Sequence, residues 1–111
     1  MRRSQHEPMI RNVVVGRLGP DDGPGQAEEA VRRLEEGLAG IAALDLPGQL
    51  AVHVGRDIGI REGGWSFAIT SDWVDVDAYR VYDVDAEHDR YRSMIVGACA
   101  EIARVQFVIE D

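Results

Sequence analysis

Between Ala27 and Ala42 apolar residues return every three or four positions, as Ala27, Ala30, Val31, Leu34, Leu38, Ile41 and Ala42. Glu28, Glu29, Arg32, Arg33, Glu35 and Glu36 occupy the other side. This period predicts an amphipathic helix, begun after the breaker Gly23-Pro24-Gly25 and stopped at Leu46-Pro47-Gly48. A helix with one apolar stripe must bury it against a second layer, and the flanking segments supply a sheet. Met9 to Leu18 is rich in β-branched residues and closes on Gly19-Pro20. From Leu50 to Arg56, Leu50, Val52 and Val54 alternate with Ala51 and His53. Asp57 to Gly64 is polar, ends in Gly63-Gly64 and suits a hairpin loop. Trp65, Phe67, Ile69, Ser71 and Trp73 then share one face of a third strand.

Asp75 or Asp77 can cap a short helix through about Tyr82, since a carboxylate accepts from the free N–H groups at a helix start. Asp85 can cap another from Ala86 to about Ile102, its inner face formed by Tyr91, Met94 or Ile95, Ala98, Cys99 and Ile102. The final strand is expected over Ala103 to Glu110, with Val105, Phe107 and Ile109 alternating against Gln106 and Val108. The order β-α-β-β-α-β predicts an α+β, ferredoxin-like antiparallel sheet with its helices on one face. The second face would carry Arg11, Val13, Val15 and Arg17 and, on the last strand, Gln106 and Val108. Valines on a bare face predict burial against another copy of the chain, and the arginines there then need acidic partners or a place at the rim. Residues 1–8 read as a flexible tail and 9–111 as one domain.

Charge narrows the function. Twenty acidic residues against twelve basic ones leave a formal charge of −8, which argues against binding a nucleic-acid backbone or an anionic membrane surface. All twelve basic residues are arginine, so lysine Schiff-base and lysine general-base mechanisms and the phosphate-cradling P-loop are excluded. A single cysteine, Cys99, forbids an internal disulfide and any Cys-rich zinc site, consistent with a reducing, cytoplasmic setting. No apolar run approaches the roughly 20 residues of a membrane helix, and no hydrophobic segment follows Arg2-Arg3, so no signal peptide is expected. No bound metal is expected either. His6, His53 and His88 are dispersed, and the acidic run Asp72 to Asp89 lacks the ligand-and-glycine pattern of a calcium loop.

Three stretches together resemble the stress-responsive A/B barrel family: Met9-Ile10-Arg11-Asn12-Val13-Val14-Val15, the run Val54 to Ile69 with Ile60-Arg61-Glu62-Gly63-Gly64-Trp65, and Ser71-Asp72-Trp73 leading to Ala78-Tyr79 and Glu87-His88. The resemblance spans Met9 to about Ile109. It implies a homodimeric α+β barrel in which two sheets face one another, helices lie outside, and each subunit can hold a cavity between sheet and helices. Polyketide-cyclase members perform a cofactor-free aldol condensation there, using a tyrosine and a histidine that match Tyr79 and His88. Two departures stand out. This chain has three more residues between those two positions, and Asn12 stands where many members carry a histidine on the first strand. Asparagine can donate to a carbonyl but cannot titrate near neutral pH.

The resulting expectation is a small, largely apolar or polyketide-like ligand held between sheet and helices, with no cofactor. If the chain is an enzyme, it is a cofactor-independent lyase or cyclase. His88 would be the general base, because imidazole titrates near neutrality. Tyr79 would bind the enolate oxygen and Asn12 would orient the substrate. Trp65, Phe67, Ile69, Tyr82 and Tyr91 would line the ligand's walls, although aromatic residues on one strand face equally suit a core. The competing readings are a His88 that only meets Asp85 or solvent, and a non-catalytic, stress-related or ligand-carrying barrel.

Overall fold

In a computed structural model of the protein, residues 8–19 and 25–110 are described. The expected tail therefore falls outside the described residues up to position 7, as does His6, and Pro8 is exposed. Among the described residues, four strands and three helices follow in the order β1 (Met9–Leu18), α1 (Gln26–Ala43), β2 (Gln49–Arg56), β3 (Phe67–Trp73), α2 (Val76–Val84), α3 (Ala86–Gly97) and β4 (Cys99–Ile109). The sheet order is β2-β3-β1-β4 with every neighbouring pair antiparallel, which is the ferredoxin-like arrangement.

The register assigns the faces. Ile10, Asn12, Val14 and Gly16 of β1 stand beside Trp73, Ser71, Ile69 and Phe67 of β3, and all of these point toward the helices, as the burial of β3 at every second residue shows. The stripe of α1 descends on them, with Leu34, Leu38 and Ile41 buried against Phe67, Ile69, Ile95 and Ala98. A smaller cluster of Ile10, Trp73 and Tyr82 lies under α2. Two glycines inside α1 let α3 approach: a Cβ on Gly37 would meet the Ile95 side chain, and one on Gly40 would fall into the Tyr91 ring.

Three expectations change. The last helix ends at Gly97 rather than near Ile102, because the Ala98 amide bonds back to Ile95 and the Ala98 carbonyl accepts from the Gly19 amide at 2.9 Å. Cys99 is accordingly a strand residue beside Leu18, not part of a helical stripe. The faces of β4 are also exchanged. Gln106 pairs with Asn12 and Ile10 with Val108 on the helical side, while Val105 and Phe107 accompany Val13 and Arg11 on the bare side. Third, the strand begins at Phe67 and not at Trp65. Ser66 ties the chain to β1 there, donating its amide to the Gly16 carbonyl and accepting from the Leu18 amide at its hydroxyl, and this bend turns Trp65 toward Arg17.

The bare face is apolar at its middle, with Val105 and Phe107 about half exposed. Both of its arginines have acidic partners, as expected. Arg11 makes a bidentate pair with Asp72 at 2.7 and 2.9 Å, and Arg17 lies 3.6 Å from Glu101. The Arg11 hydrogen bonds hold the Asp72 carboxyl below the usual carboxylate range. Among the described residues no helix is long and apolar enough to cross a membrane.

Candidate functional site

Two helix caps build the site. Asp75 accepts from the Ala78 amide at 2.8 Å and starts α2, which places Tyr79 and Tyr82 three residues apart on one face. Asp85 ends α2 and, by accepting from the His88 amide at 2.9 Å, also starts α3. His88 therefore sits on the first turn, as the sequence suggests, but it faces inward and is only 6% exposed.

The His88 ring stacks on Tyr82 with centroids 3.9 Å apart, and Tyr82 stacks on Trp73 at 4.6 Å. Beneath them lies a buried polar hub. The Ser71 hydroxyl accepts from Trp73 Nε1 at 3.0 Å and from Asn12 Nδ2 at 3.4 Å, and it also hydrogen-bonds the Tyr82 hydroxyl. Asn12 Oδ1 in turn accepts from Gln106 Nε2 at 2.8 Å, which sets the orientation of its amide.

Between the hub and the helices lies an inner chamber of about 40 Å³. Asn12, Ile41, Ile69, Tyr82, His88 and Ile95 form its buried walls, with Val14 and Ile102 beside them. The half-buried or exposed Tyr79, Asp83, Arg92, Val96 and Arg104 mark its mouth. A chamber this size holds a few heavy atoms; its interior is mostly apolar while its rim carries charged side chains.

His88 Nδ1 is buried without a hydrogen-bond partner among the described residues. Burial disfavours the imidazolium and nearby Arg92 adds to this, so the His88 pKa lies below its ordinary value despite the opposing influence of Asp83 and of backbone hydrogen bonds to Asp83 and Tyr82. Desolvation pushes the Tyr82 phenol up to about 12 and also raises Tyr79, with Asp83 contributing at Tyr79 and Arg104 opposing. Both phenols are thus hydrogen-bond donors over the ordinary pH range, beside an imidazole that favours its neutral form.

Five of the residues singled out from the sequence meet at this cavity: Asn12, Ile69, Tyr79, Tyr82 and His88. Three do not. Phe67 fills the core at Gly16, Tyr91 packs over Gly40, and Trp65 lies under the Arg17 guanidinium on the sheet's other side. His53 opens onto that other side too, opposite Thr70. Sequence reasoning missed Ser71 as a hub and missed Arg92, Arg104 and Gln106. Arg92 had a signal, being one helical turn beyond His88. Arg104 and Gln106 were hidden by the exchanged faces of β4. Among the described residues no group of three or more His, Cys, Asp or Glu side chains is arranged to hold a metal ion.

No protein-family model matches the sequence, and no curated protein matches it. Solved structures do. A dimeric ferredoxin-like protein of unknown function from Thermobifida fusca is 23% identical, with a TM-score of 0.72 over 98% of this chain and 100% of that one. A DABB-family protein with a ferredoxin-like fold from Mesorhizobium loti is 21% identical, with a TM-score of 0.69 over 95% and 100%. A hydroxynitrile lyase from Passiflora edulis is 18% identical, with a TM-score of 0.64 over 95% and 96%. At these identities the likeness establishes the architecture: the chain has the ferredoxin-like fold of these proteins.

Proposed function

We propose that the chain is a homodimeric α+β barrel of the stress-responsive A/B type, and that each subunit binds a small molecule in the chamber between sheet and helices for cofactor-free acid/base chemistry. The observation that carries this reading is His88, a neutral-leaning imidazole whose Nδ1 is buried and unpartnered at the wall of a cavity. A buried ring nitrogen without a partner costs stability, and a ligand that supplies a proton donor, or a carbon acid that surrenders a proton, recovers it. His88 would take a proton from the carbon next to a carbonyl. The Tyr79 phenol at the mouth would donate to the enolate oxygen, and the Asn12 amide, held by Gln106, would orient the ligand from below. Support for lyase-type chemistry comes from the Passiflora enzyme of the same fold. The dimeric description of the Thermobifida protein and the apolar bare sheet face support the homodimer.

A second reading, a non-catalytic ligand-carrying barrel, is favoured by one observation. Asn12 already spends its amide on Ser71 and Gln106. The two readings separate in deuterated water. Solvent deuterium should enter the α-position of at least one member of a panel of three- to six-carbon ketones and oxo acids. Exchange should fall by about a hundredfold in His88→Ala and more modestly in Tyr79→Phe. A wild-type protein that exchanges none of the panel overturns the catalytic reading in favour of the carrier, and equal exchange in His88→Ala removes His88 from the role of base.

A further inference from the structure

The sheet carries four arginines, and three of them have acidic partners: Arg11 with Asp72, Arg17 with Glu101 and Arg56 with Glu35. The fourth, Arg104, forms no ion pair with any described residue, although the chain has twenty acidic residues. It stands opposite Val14 on the helical side of β4, lines the mouth of the cavity and acts electrostatically on Tyr79. Arg92, the other guanidinium at the mouth, is already engaged by Asp83 at 3.1 Å and Asp89 at 2.6 Å. Among the described residues, Arg104 is thus a cation at the opening without an acidic partner, Tyr79 supplies a phenol donor at the same mouth, and the unpartnered His88 Nδ1 lies behind them.

We propose that the ligand is a short-chain carboxylate, bound with its carboxylate on Arg104 at the mouth and its uncharged end in the inner chamber toward His88, which leaves the Tyr79 hydroxyl to the enolate oxygen. This rests on the small-molecule reading of the same cavity and adds the chemical class of what enters it. A guanidinium presents a planar fork that matches two carboxylate oxygens, and it never deprotonates. A carboxylate fits better than a phosphate. Among the described residues lining the mouth, Arg104 is the one guanidinium without an acidic partner, Asp83 lies on the same rim, and the chain's charge of −8 opposes a dianion. Size agrees as well. The chamber of about 40 Å³ admits only a few atoms beyond the mouth, which is the reach of a short acid rather than a long acyl chain.

The test uses an unreactive isosteric pair, butanoate and butanamide, titrated into the full-length protein and followed by backbone and imidazole NMR. Butanoate should perturb His88, Tyr79 and Arg104 and bind about tenfold or more tightly than butanamide, the difference expected for one charge-assisted pair. Arg104→Gln should abolish that preference by weakening butanoate about tenfold more than butanamide, and light scattering on the same sample should show unaltered assembly. Equal binding of acid and amide, with neither affected by Arg104→Gln, overturns the carboxylate inference and leaves small-molecule binding standing. Failure of both probes to perturb any cavity residue overturns both. An Arg104→Gln protein that loses its assembly state would show Arg104 to be an interface residue, which also overturns the inference.

Discussion

Of the two glycines where α1 meets α3, Gly40 leaves the least room for a Cβ, and replacing it by alanine tests whether that contact is as tight as the geometry states. A Cβ there would lie 2.2, 2.3 and 2.4 Å from Cδ1, Cε1 and Cγ of Tyr91. Carbon atoms in contact normally stand about 3.5–4.0 Å apart. Because Cγ is among the clashing atoms, the ring cannot escape by moving its tip, and either its χ1 rotamer or the helix must shift. Overpacking of this kind costs about 1–3 kcal/mol, whereas alanine in a helix interior gains about 1 kcal/mol over glycine. Gly40→Ala should therefore lose about 1 kcal/mol net. In a Tyr91→Ala background the clash is gone and only the propensity remains, so the same substitution should gain about 1 kcal/mol. The coupling of about 2 kcal/mol is readable from four urea denaturation curves at one fixed protein concentration. A Gly40→Ala substitution that shifts stability in the same direction in both backgrounds would mean that the Tyr91 ring does not clash with a Cβ at this position.

Acid stability should report on His88. Its folded pKa lies below the ordinary 6.5, so as pH falls below that value the unfolded chain takes up a proton that the native state refuses; stability is full above 6.5 and declines from there down to the folded pKa. His88→Gln should flatten that decline in denaturation curves taken between pH 7 and 5, and an unchanged slope would mean the imidazole is not desolvated. Ser71→Ala removes the shared acceptor of Trp73 Nε1 and Asn12 Nδ2 at a site 1% exposed. It should cost about 1–3 kcal/mol and alter Trp73 fluorescence, whereas unchanged stability would mean the hub is not a network. If the bare sheet face meets a second copy, light scattering at micromolar concentration should give about twice the chain mass, and the Val15→Arg, Phe107→Asp double variant should reduce it to the chain mass while circular dichroism stays native. A wild-type monomer would refute the barrel.

The sheet-and-helix order was legible because its signals were redundant. The stripe of α1 has caps or breakers at both ends, and Asp75 or Asp77, of which Asp75 is the cap, and Asp85 announce the starts of α2 and α3 by chemistry that a helix N-terminus demands. The same cap places His88 on the first turn of α3, and packing against the Tyr82 ring decides between its inward and solvent-facing readings. What failed were decisions that local pattern leaves degenerate. Strand β4 has Val105 and Phe107 on one side and Val108 on the other, so alternation reveals two faces without saying which one the helices cover. Only pairing with β1 does so, and that pairing brings Gln106 to Asn12 and Arg104 to the cavity. The end of α3 was misread because Ala98, Cys99 and Ile102 continue a helical period past Gly97, until strand pairing with Leu18 claims Cys99. The Ser71 hub had no local signal, since its partners come from three separate elements.

Asp85 leaves the two rings of the site with no slack between them. Most helix pairs are joined by several residues, which let each helix find its own seat. Here one residue does both, its backbone amide closing α2 on the Tyr82 carbonyl and its side chain opening α3 at the His88 amide, so Tyr82 and His88 are geared together: a displacement of one ring is transmitted to the other through a single-residue corner. A residue inserted beside Asp85 would touch no cavity wall, yet it would unmesh the imidazole from the phenol and let each drift on its own helix.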